Sequence, residues 1–102
     1  MTINVNQQDL AFLYEKAKQK YAECINNKEN QFLKDEVGYP LESILIIEKD
    51  IKIVFTQNIA NKYLLELSLK LHVGGKEIGR YVYTENENGK EIDDSLVFYN
   101  KS

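Results

Sequence analysis

The chain has 102 residues, 43% hydrophobic and 28% charged, which suits one domain with a single core and excludes a disordered or collagen-like protein. Its one cysteine, Cys24, rules out an internal disulfide and points to a reducing compartment; no run approaches ~18 uninterrupted apolar residues, so no membrane-spanning helix is expected. The net charge of −3 is uneven: residues 84–102 hold five acids and two bases, residues 1–40 six and five, and residues 41–83 five and six.

The opening MTINVNQQDL lacks the basic-then-apolar order of a signal peptide, so the chain reads as soluble and cytoplasmic. Asn6 or Asp9 can cap a helix there. Leu10, Leu13, Ala17, Tyr21 and Cys24 recur at helical spacing and predict one apolar face. Lys16, Lys18, Lys20 and Glu23 are expected to face mostly away, as a solvated surface. Asn26–Asn27 ends the helix. A short second helix or turn is expected around 30–36, with Phe32 and Leu33 inward, before Gly38, Tyr39 and Pro40 redirect the chain.

From Glu42 onward the pattern is that of strands. ESILIIEKDIKIVFT reads as two short strands around Lys49–Asp50. KYLLELSLKLHV alternates, with Leu65, Leu67, Leu69, Leu71 and Val73 on one side and Glu66, Ser68, Lys70 and His72 on the other. IGRYVYTE and EIDDSLVFY form the last hairpin, and Asn88–Gly89 suits a two-residue type I′ turn. That loop pairs Tyr81 with Leu96 and Tyr83 with Asp94. An odd loop, Gly74-Gly75-Lys76, would bring the leucines of 65–71 onto the face of Tyr81 and Tyr83. The outer face then carries Glu66, Ser68, Lys70, Arg80, Val82, Asp93, Ser95, Val97 and Tyr99. The expected fold is α+β: an N-terminal helix, with a possible second short one, on a four- to five-stranded antiparallel meander.

Reaction chemistry finds little to stand on. With Gly89 at the glycine of a calcium loop, its two end positions fall on Thr84 and Ser95, so the strongest carboxylate ligands are missing. Asp93 and Asp94 are adjacent and point to opposite faces of a strand, so they cannot share a substrate. His72 and Ser68 are about 13 Å apart by strand rise, too far for a nucleophile and base. One Cys and one His do not make a zinc site, and GGKEIG leads into a strand rather than a phosphate-binding helix. No catalytic residue, metal or cofactor is expected. Arg80 is the only arginine, and no Lys/Arg cluster stands out beyond Lys16, Lys18 and Lys20, so nucleic acid is not an expected partner.

The charge map instead suits a basic protein partner. Glu85, Glu87, Glu91, Asp93 and Asp94 would meet its cations, and Val97 with Tyr99 would form a dry anchor. The stretch EIGRYVYTENENGKEIDDSLVFY resembles the last strands of small bacterial immunity proteins of contact-dependent growth-inhibition and polymorphic-toxin systems. Ile78–Gly79, Tyr81, Gly89 and Asp93–Asp94 before Leu96–Val97 carry the resemblance, over about a quarter of the chain. It implies a non-enzymatic antitoxin that binds and occludes a cognate toxin, often a basic nuclease. The alternative expectation is a phage anti-defence protein or a cystatin-like binding module, the latter with a solvent-open pocket at Tyr21 and Tyr83.

Overall fold

The computed structural model describes residues 6–32, 38–55 and 62–99. Helix α1, Gln7–Asn26, lies on a four-stranded antiparallel sheet of β1 Leu45–Phe55, β2 Tyr63–Val73, β3 Lys76–Asn86 and β4 Glu91–Phe98, in the order β1-β2-β3-β4. Short 3-10 turns span Lys28–Asn30 and Leu41–Ser43. The expected α+β meander is therefore the observed one, with four strands. Among the described residues no helix is long and apolar enough to cross a membrane.

Helix α1 begins with a capping box. The Asp9 amide donates to Asn6 Oδ1 at 2.8 Å, and the Asn6 amide donates to Asp9 Oδ2 at 3.4 Å. Asn27 caps the other end in an extended conformation, and the Cys24 carbonyl accepts both the Asn27 amide at 3.2 Å and Asn30 Nδ2 at 2.9 Å. The buried stripe is Ala17, Tyr21 and Ile25, with Leu13, Tyr14 and Cys24 partly covered. Leu10 and Phe32 are exposed, so neither is a core residue; Leu33 lies outside the described residues.

Register carries the alternation through three strands. Leu67 pairs with Tyr83 and Leu69 with Tyr81; Tyr81 pairs with Leu96 and Tyr83 with Asp94. Leu67, Leu69, Leu71, Tyr81 and Tyr83 are almost completely buried, and Tyr21 meets Tyr81 edge-on at 5.7 Å. Full burial of each such side chain contributes roughly 1.5–3 kcal/mol, so this leucine–tyrosine face holds the helix down.

Each strand pair contains one extra residue. Lys49 is extra between β1 and β2, Ile78 between β2 and β3, and Ile92 between β3 and β4. These bulges correct three expectations. The Lys49–Asp50 break is a bulge inside one continuous strand, not a turn between two. The Gly74–Gly75 loop has two residues, with Val73 pairing Lys76, and Ile78 supplies the parity shift that an odd loop would have given. In the last hairpin the Gly89 amide donates to the Asn86 carbonyl at 3.0 Å, and the Asn86 amide donates to the Lys90 carbonyl at 2.9 Å. The loop is thus the three residues Glu87, Asn88 and Gly89, with Gly89 at φ 78°, and Ile92 restores the register.

Candidate protein-binding surfaces

The acidic stretch near the C-terminus is divided among three environments. Glu85 is buried at 3% exposure. Lys16 Nζ donates to Glu85 Oε2 at 2.6 Å and to the Gly89 carbonyl at 3.1 Å, and the Tyr83 hydroxyl lies 3.4 Å from the same carboxylate oxygen. Glu91 faces Lys20 at 3.9 Å, and Asp94 accepts from the Tyr81 hydroxyl at 2.9 Å. Asp93, opposite Thr84, lies on the other face of the sheet, and Glu87 stands in the hairpin loop. Glu85 is therefore a fold residue enclosed under the helix. Glu91, Asp93 and Asp94 remain exposed along β4, a sheet edge.

The three helix lysines correct the expectation of a solvated face. Lys16 reaches β3, Lys18 donates to Glu48 Oε2 on β1 at 2.8 Å, and Lys20 leans toward β4. Their aliphatic stems run beside the core while their ammonium groups straddle the sheet. The hydrogen bond to Glu85 raises the Lys16 pKa, and that to Glu48 raises the Lys18 pKa. Burial, then the Asp94 hydrogen bond, pushes the Tyr81 hydroxyl far up. Burial, reinforced by Asp94, also pushes up the Cys24 thiol, which opposes a nucleophilic role at neutral pH.

Comparison with protein-family models, curated proteins and solved structures finds no match to this chain.

The outer sheet face carries the residues expected from register. Val97 and Tyr99 are 37% and 42% exposed, close to Val82 and Arg80. The Tyr99 hydroxyl donates to Glu77 Oε2 at 2.6 Å, which lowers the Glu77 pKa and raises that of Tyr99. A hollow of about 220 Å³ lies on this face, and its lining includes Lys49, Lys52, Lys70 and Arg80 against Glu66 and Glu77. Sequence reading missed this basic cluster. Its members are spread from position 49 to position 80, and alternation along each strand hides what the ladder brings together.

A second, open hollow of about 340 Å³ lies between the end of α1 and β4. Glu23, Glu29, Glu91 and Asp94 line it with Lys20 and Cys24. Among the described residues no group of three or more His, Cys, Asp or Glu could hold a metal. Tyr21 and Tyr83 are 6% and 1% exposed, so this pair closes the helix–sheet interface instead of opening a ligand pocket there. His72 Nε2 is 3.9 Å from Glu77, and Lys70 separates it from Ser68 along β2.

Proposed function

We propose that this chain is a non-enzymatic immunity or inhibitor protein that binds a bacterial toxin domain and occludes it, with a basic nuclease as the partner class. The observation that carries the reading is the acidic β4 edge. Glu91, Asp93 and Asp94 are exposed on both faces of one edge strand, Glu87 extends the edge into the hairpin loop, and Glu23 and Glu29 flank it across the hollow beside α1. Charges on an edge strand also discourage sheet-to-sheet aggregation. Their continuation onto the helix side is more than edge protection requires, and gives a basic partner a two-sided contact. Val97 and Tyr99 supply apolar area beside Asp93. The resemblance of the C-terminal hairpin to immunity proteins supports the same reading.

The test is co-expression with a nuclease toxin domain encoded beside this gene, with growth and a one-to-one complex as readouts. Growth rescue is expected. Glu87→Lys with Asp93→Lys, which spares Glu85, should slow association about tenfold at low salt and lose much of that effect at high salt. No complex and no rescue would end the proposal; a complex with unchanged association in the variant would move the contact off this edge.

A further inference from the structure

The hollow on the outer sheet face is lined by four cations against two carboxylates, the reverse of the balance in the chain as a whole. Lys49, Lys52, Lys70 and Arg80 converge on one hollow, and none makes an ion pair within 4 Å among the described residues. Lys70 and Arg80 are direct cross-strand partners. Like charges placed directly opposite each other in a sheet are destabilising. The fold tolerates that opposition with Glu77 near Lys70 and Lys49 but bonded to Tyr99.

We propose that this face docks an acidic segment of a partner protein, with carboxylates seated over Lys70 and Arg80 and apolar side chains against Val82. Charge complementarity sets the occupant. A carboxylate guest would relieve the Lys70–Arg80 repulsion, with Lys49 lining the same hollow and Lys52 opposite Glu66 farther along β2. A nucleic-acid strand fits less well: Glu66 and Glu77 stand in the hollow and repel a continuous phosphate backbone, and the hollow's aromatic ring, Tyr99, is tied by its hydroxyl to Glu77. This hollow adjoins the acidic β4 edge through Tyr99, but its cations, Lys49 and Lys52 on β1, Lys70 on β2 and Arg80 on β3, are distinct from the carboxylates of that edge.

The experiment uses the full chain and a fluorescent extended peptide of alternating glutamate and valine, read by anisotropy at low salt. Binding is expected. It should weaken at least about tenfold in Lys70→Gln/Arg80→Gln and fall as salt rises. The melting temperature of that variant should stay level or rise, because the opposed cations are gone, so lost binding would not reflect lost folding. Unchanged affinity in the variant would overturn the proposal. So would tighter binding of a lysine–valine peptide or of a single-stranded oligonucleotide. Capture of a basic toxin domain by the same variant should be unimpaired, so the two surfaces fail separately.

Discussion

Lys16 Nζ and Glu85 Oε2 meet at 2.6 Å across 69 residues of sequence, joining the middle of α1 to the far end of β3. The pair is asymmetric, since the Lys16 side chain keeps 27% of its exposure and that of Glu85 only 4%. Removing either partner therefore has different consequences. Lys16→Met strands a buried carboxylate beside the Tyr83 hydroxyl and should cost about 2–3 kcal/mol. Glu85→Gln leaves a lysine able to turn to water and should cost about 1 kcal/mol. Urea unfolding measures both, and an equal or reversed order would contradict the burial asymmetry.

Gly79 is a steric glycine. A Cβ there would lie 2.5 Å from the Val97 carbonyl oxygen and 2.9 Å from Phe98 Cδ1. The carbonyl belongs to the neighbouring strand and cannot rotate away, so Gly79→Ala should part β3 from β4 near Phe98. The expected cost is about 2 kcal/mol, or a melting temperature lower by roughly 8–16 °C. A melting temperature within two or three degrees of the parent's would show that the edge strand gives way freely.

The bulges predict which residues can be removed. Glu48 pairs with Leu69 and Ile51 with Leu67 on the core face, so deleting Lys49 leaves the alternation of β1 intact. Deleting Ile51 instead turns one half of the strand inside out. The Lys49 deletion should remain folded and the Ile51 deletion should not, as judged by amide-proton dispersion in solution. Collapse of both would mean that the bend at Lys49 is itself required.

Alkaline pH should unfold the chain cooperatively. Burial raises the hydroxyl pKa of Tyr21, Tyr81 and Tyr83 above the ordinary 10.0, and the Glu85 hydrogen bond raises that of Lys16 above 10.5. Each group holds its proton more tightly folded than unfolded. Its contribution is complete below the unfolded pKa and is lost as pH rises through the folded one. Above about pH 10 each still-protonated tyrosine should lower stability by about 1.4 kcal/mol per pH unit. Urea midpoints at pH 8 to 11 measure the slope, and Tyr81→Phe should flatten it. A flat profile through pH 11 would show that these hydroxyls ionise in place.

Much of the fold was legible because period and parity are local. The helix limits at Asn6 and Asn27, the leucine face of β2 and the pairing of Tyr81 with Leu96 all follow from residue spacing. Two errors in loop size cancelled against two unseen bulges, because alternation reports which face a residue occupies and not how the chain arrives there. The surfaces were harder to read. Whether Lys16, Lys18 and Lys20 meet water or carboxylate depends on which strands run beneath the helix, and helical spacing does not contain that. Glu85 was read with its exposed neighbours because five acids in twelve residues look like one patch. A pleated strand separates them, sending Asp93 to one side and Asp94 to the other.

Cys24 is the chain's single thiol, half-covered against the core where α1 approaches Asp94. With its proton held tightly while the helix is seated, it should react slowly with alkylating reagents and speed up when the helix lifts. The protein thus carries its own reporter: the rate of thiol labelling gauges how often α1 detaches, and whether an occupant on the opposite side of the sheet quiets that motion.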